Sequence, residues 1–99
     1  MVDEKRYYVY ILAKERNSTF YTGFTEGLVK RTWEHKNEQA ESFTKKYGIK
    51  TLVYYEVFDN YDAALKREKR LKKWNRAWKM RVIEEINPKW EDLFEQICQ

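Results

Sequence analysis

Two runs of aromatic and β-branched residues stand close together near the start of the chain, Tyr7–Leu12 and Thr19–Phe24, and only the polar stretch Ala13–Ser18 separates them. Runs of this composition read as strands, and a short polar link containing Asn17-Ser18 joins them as a β-hairpin. Along the first run Tyr8, Tyr10 and Leu12 alternate with Val9 and Ile11, so each set takes one face of the strand. A third run, Thr51–Phe58, holds Leu52, Val53, Tyr54, Tyr55, Val57 and Phe58 and reads as a third strand.

The intervening segments read as helices. Gly23 and Gly27 flank the exit from the hairpin, and Thr25 is placed to N-cap a helix from Leu28 to Asn37. Glu38–Tyr47 is polar and ambiguous, and Gly48 punctuates it. Asp59-Asn60 offers an N-cap for a helix from Tyr61 to about Trp74. A further helix covers Arg76 to Ile86 and ends at Asn87-Pro88, because the residue before a proline disfavours the α region. Trp90–Ile97 can form a last short helix. The order ββαβαα predicts an α+β fold with a small three-stranded antiparallel sheet flanked by helices.

With 99 residues, one domain with a modest core is expected. A hydrophobic fraction of 42% and an aromatic fraction of 17% exclude a disordered chain in spite of 36% charged residues. The single cysteine, Cys98, excludes a disulfide-stapled secreted fold and CxxC zinc spacing. No apolar run approaches the roughly 18 residues of a membrane span, and no signal-peptide core follows Met1–Arg6, so the cytoplasm is the expected location. The net charge is +4, but Ala63–Ile83 alone carries nine Lys or Arg against one acid, Glu68. Such a window points to a polyanion, nucleic acid first. It is also compatible with a solvated helix face.

Several polar residues fall where apolar stripes should run. Glu68 takes the middle position between Leu65 and Leu71 in the stripe that starts Tyr61, Ala64, so the one acid among nine bases faces inward. An inward carboxylate needs a partner. That partner is either a cation, such as Arg67 or Lys72, in a structural salt bridge, or a metal in a reacting site. On the helix from Leu28, Arg31 and His35 stand four residues apart and project side by side. His35, the only histidine, is either a functional group or a residue near a helix C-terminus favoured by the dipole. Tyr10 and Tyr21 sit on the paired strands, where tyrosines commonly serve the core.

Taken in order, these residues resemble a known pattern. Tyr8-Val9-Tyr10 resembles the GIY element and Tyr21-Thr22-Gly23 the YIG element. Arg31 and His35 match the Arg and the His or Tyr of the first helix, and Glu68 matches the helix glutamate. The chain is thereby similar to the GIY-YIG nuclease superfamily over about Tyr7 to Ile83, with residues 84–99 as a C-terminal helical extension of a single domain. Ser42–Tyr47, Leu52–Glu56, Arg67–Trp74, Asn87-Pro88-Lys89-Trp90 and Asp92-Leu93 resemble the short bacterial single-domain branch. That branch is similar to the nuclease domain of the excision-repair endonuclease C subunit. Tyr8 replaces the first glycine of the pattern. Met80 stands twelve residues after Glu68, where several members carry Asn.

The resemblance implies a metal-dependent endonuclease that hydrolyses phosphodiester bonds with one divalent metal, Mg²⁺ or Mn²⁺. Glu68 would hold the metal, and Tyr10 or Tyr21 would activate water. Arg31 would neutralise the phosphate, and His35 would orient Tyr10 or relay its proton. Lys45, Lys46, Arg67, Arg70, Lys72, Lys73 and Arg76 would bind nucleic acid, DNA before RNA, in repair or recombination. Met80 and the lack of a targeting domain motivate an alternative, a non-catalytic nucleic-acid-binding module on the same fold. Trp74, Trp78 and Trp90, with the acidic C-terminal end, suit either core packing or a docking surface for a protein partner.

Overall fold

The computed structural model describes residues 5–15, 19–37 and 42–98. The elements run β1 (Tyr7–Ala13), β2 (Phe20–Thr25), α1 (Leu28–Lys36), α2 (Ser42–Tyr47), β3 (Thr51–Phe58), α3 (Tyr61–Lys73), α4 (Arg76–Ile86) and α5 (Phe94–Ile97). The three strands form one antiparallel sheet in the order β2-β1-β3, with Tyr10 opposite Gly23 on one side and Tyr55 on the other. The expected α+β class and three-stranded sheet are present. Asn17-Ser18, assigned to the hairpin turn, lies outside the described residues.

Strand β1 is central and buried on both faces, which is why it is apolar at every position rather than at alternate ones. Val9, Ile11 and Ala13 pack with Ala64 and Leu71 of α3 and Ile83 of α4. Tyr10 and Leu12 pack on the other face with Leu28 of α1, Ile49 and Leu52, joined by Leu93 and Ile97. A register shift between Ile11 and Leu12 makes Val53 an extra residue in β3. That bulge turns Val53 and Tyr54 toward the same helical layer, while Leu52 stays with the opposite one.

Three local expectations are corrected. Thr25 does not cap α1; its Oγ1 accepts the Gly27 N–H at 3.1 Å, and Gly27 itself is the N-cap, without a side-chain bond. The ambiguous polar segment contains α2, which adds a helix to the expected order. This helix is marked by no apolar stripe and is held at Thr44: its carbonyl accepts Ile49 N–H at 3.0 Å in the turn that closes the helix, and its side chain is buried. The chain then turns through Gly48, whose φ of 65° favours glycine. Tyr61 is exposed rather than core, lying edge-on to Tyr7 and Phe24. Asn60 does cap α3, accepting Ala63 N–H at 2.9 Å.

The C-terminal segment closes part of the outer edge of β3. Leu93 N–H bonds the Leu52 carbonyl at 2.8 Å, and Asn87 Nδ2 donates to the carbonyls of Val53 and Glu91. Trp90 is held by its indole N–H on Glu84 at 2.7 Å and by stacking on Phe20, so it serves packing; Trp78 remains exposed. Among the described residues no helix is long and apolar enough to cross a membrane.

Candidate active site

Helix α1 turns Leu28, Thr32 and His35 toward the sheet, as positions i, i+4 and i+7 of one face must. His35 is thereby delivered to Tyr10: Nε2 lies 3.1 Å from the Tyr10 hydroxyl, and Nδ1 lies 3.0 Å from the Thr44 hydroxyl. Tyr10, His35 and Thr44 are 1%, 1% and 2% exposed. Tyr21 completes the group at the solvent boundary, its ring centroid 5.3 Å from His35 and 6.3 Å from Tyr10. Gly23 makes room for this arrangement. A Cβ there would lie 2.5 Å from Cζ and Oη of Tyr10, so only a bare backbone lets the phenol cross β2.

The other candidates are placed differently. Arg31 is one turn before His35, its side chain 42% exposed, with Nε 3.7 Å from Glu34. Glu68 belongs to α3, in the layer that packs on the Val9–Ile11–Ala13 face, opposite the face of Tyr10. Its side chain is only 13% exposed, and Oε2 accepts Lys72 Nζ at 3.0 Å. The inward carboxylate therefore has the structural ion-pair partner that its position demanded. The structure thus brings Tyr10, Tyr21 and His35 into contact, with Arg31 on the same helix as His35 and Glu68 on a separate layer.

The basic window divides into tied and exposed groups. Arg67 makes a bidentate pair with Glu56 at 2.8 and 3.2 Å and lies over the Trp74 ring, so it links α3 to β3. The adjacent Glu56 carboxylate is the main cause that raises its pKa. Burial first, and then Glu56, holds the Tyr54 phenol far above its ordinary range. Arg76 lies over Phe20. Lys66, Lys69, Arg70 and Lys73 instead line an open depression beside Trp74. Lys45 and Lys46 of α2 are also exposed.

The sequence matches the GIY-YIG catalytic domain over residues 6–81. The chain belongs to the GIY-YIG family. It is 38% identical over 80 residues to a UPF0213 protein of Staphylococcus saprophyticus, covering 81% of this chain and 96% of that one. A UPF0213 protein of Clostridium perfringens is 38% identical over 90 residues, covering 91% and 96%. The solution structure of a UPF0213 protein from Bacillus halodurans shares the fold, with a TM-score of 0.56 at 24% identity, covering 91% of this chain and 95% of that one. The relatives are as short as this chain.

Membership of the GIY-YIG family brings nuclease activity in general, nucleic acid as partner and a general dependence on a divalent metal. Among the described residues no three His, Cys, Asp or Glu side chains gather into a metal cluster. The donor set nevertheless fits a hard cation held with its substrate, because Mg²⁺ commonly takes one or two carboxylates and fills its shell with water and phosphate oxygens. Glu68 supplies such a carboxylate. Two residues named in the sequence only as parts of motifs contribute to the GIY-YIG core in ways the sequence does not signal. Thr44 carries no periodic signal, and the role of Gly23 lies in what its missing side chain admits.

Proposed function

We propose that this chain is a single-domain, divalent-metal-dependent endonuclease that hydrolyses phosphodiester bonds in DNA, acting in repair or recombination. The observation that carries the reading is the contact of Tyr10, Tyr21 and His35 in a GIY-YIG domain. Three of the five residues in the family's ordered set meet across β1, β2 and α1.

A difference in exposure supports a division of labour between the tyrosines. Tyr10 is closed off from solvent, whereas Tyr21 is half-buried at the boundary. Tyr21 is therefore the phenol that meets the attacking water, and Tyr10 with His35 holds it in place from behind. A phenol of ordinary pKa about 10 is a weak base at neutral pH and needs nearby positive charge. Arg31, partly exposed on the same helix as His35, supplies that charge and neutralises the phosphate. Glu68, on the α3 side of the sheet and paired with Lys72, would hold the Mg²⁺ or Mn²⁺ on exchanging that lysine for the ion. When bound, the ion polarises the phosphodiester and offsets its developing charge. Lys66, Lys69, Arg70 and Lys73 give the DNA backbone a track along α3.

The purified protein is expected to cut branched or single-stranded DNA in Mg²⁺ or Mn²⁺ and to leave matched RNA strands intact. Glu68→Ala is expected to abolish cutting with an unchanged circular dichroism spectrum. Equal cutting by the variant would falsify the assignment. Salt-dependent DNA binding without cutting in either metal would instead establish a non-catalytic binding module.

A further inference from the structure

The Tyr10–His35 bond does not end at the imidazole. We infer that Thr44 is a positioning residue, whose hydroxyl fixes His35 as the Nδ1–H tautomer and leaves Nε2 bare to accept the Tyr10 proton. This rests on the reading of Tyr10, Tyr21 and His35 as the site, and it assigns a part to Thr44 that the family's ordered residue set does not contain.

A neutral imidazole has one N–H and one bare nitrogen. Both ring nitrogens of His35 are engaged, Nε2 by Tyr10 at 3.1 Å and Nδ1 by Thr44 at 3.0 Å. Two arrangements satisfy both bonds. In one, Nδ1–H donates to Thr44 and Tyr10 donates to Nε2. In the other, Thr44 donates to Nδ1 and Nε2–H donates to Tyr10. Acidity decides between them. A phenol is a far better proton donor than an aliphatic alcohol, and a bare imidazole nitrogen is the best acceptor in the group. The stronger donor meets the stronger acceptor when Tyr10 donates to Nε2, and Thr44 then takes the accepting part.

That arrangement also survives proton movement. If the proton passes from Tyr10 Oη to His35 Nε2, the O–H bond breaks, an N–H bond forms, and the ring becomes an imidazolium. Its Nδ1–H still points at the Thr44 oxygen, so no side chain has to turn. Thr44 here stands where the buried carboxylate stands in a Ser-His-Asp triad, holding tautomer and orientation without a charge of its own. Helix α2 is what carries it there, which gives a physical reason for a six-residue polar helix with a buried threonine.

His35 is the only histidine, so the imidazole nitrogens of the protein without an affinity tag can be read directly by nitrogen-15 NMR. A protonated Nδ1 and a bare Nε2 are expected in the unaltered protein. Thr44→Val keeps the shape and removes the hydroxyl, and it is expected to collapse the two signals toward a tautomer average. Thr44→Ser is expected to restore them. In cleavage, Thr44→Val is expected to lower kcat about tenfold or more with little change in KM, as loss of an aligned proton acceptor does; Thr44→Ser should recover it. A protonated Nε2 in the unaltered protein overturns the inference, and so does a Thr44→Val spectrum identical to it. If Thr44→Val does not fold, the spectrum of the unaltered protein still decides the tautomer. If the spectra are as expected and no variant cuts DNA, Thr44 positions His35 and it is the nuclease reading that fails.

Discussion

The Tyr10 hydroxyl lies 3.1 Å from His35 Nε2, although the two residues are separated by 25 positions and come from a central strand and a helix. With each side chain 1% exposed, the bond is made where water does not compete. Tyr10→Phe removes the hydroxyl that bonds His35 Nε2, at an expected cost of about 1–3 kcal/mol. A urea denaturation midpoint measures this. A variant as stable as the parent would mean that the pair holds nothing together.

Gly23→Ala tests how the same pair is accommodated. The added Cβ would meet Tyr10 at 2.5 Å, far inside van der Waals contact, and the phenol cannot retreat because it is packed against Leu12, Leu28, Ile49 and Leu52. Overpacking of this kind typically costs about 1–3 kcal/mol. The expected signature is a lowered thermal midpoint together with altered His35 ring resonances. A lowered midpoint with unaltered ring signals would place the strain in β2 rather than at Tyr10.

Much of this was legible in the sequence because the signals are local. The third strand and the last two long helices follow from apolar runs bounded by Asn60 and Asn87, both of which act as caps in the structure. The separation of Tyr10 from Val9 onto opposite faces follows from strand alternation. What stayed hidden depends on the third dimension. Thr44 is a polar residue in a polar segment, and only its approach to His35 distinguishes it. Glu68 was legible as inward-facing, but its pairing with Lys72 was one option among several. Arg67 and Lys69 look alike in sequence, and only the position of Glu56 on the neighbouring strand separates them.

That separation makes a prediction. Arg67→Ala should act on stability, because it breaks a bidentate pair with Glu56 beside the buried Tyr54 phenol, at about 1–3 kcal/mol. The double change Lys69→Ala with Lys73→Ala should leave the denaturation midpoint nearly unmoved, since both side chains are exposed on α3. It should instead flatten the plot of log affinity for duplex DNA against log salt by about 2 units of slope, one phosphate contact for each lysine. An unchanged slope would take DNA off this face of α3.

Lys79 ties the fold to pH. Its ammonium is held below the ordinary lysine value of 10.5, chiefly by burial and then by Lys72. A folded pKa below the unfolded one means that the protonated form is disfavoured in the fold. The resulting destabilisation is fully present at neutral pH, below both values. It fades as pH rises through the folded value toward 10.5, because the unfolded chain then binds more protons than the folded one. Lys79→Met keeps the length of the aliphatic stem and removes the charge. The variant should unfold at higher urea concentration than the parent at pH 7, and its advantage should shrink when both are measured near pH 10. An advantage that grows with pH, or none at pH 7, would show that the Lys79 charge is not a destabilising element at the α3–α4 junction.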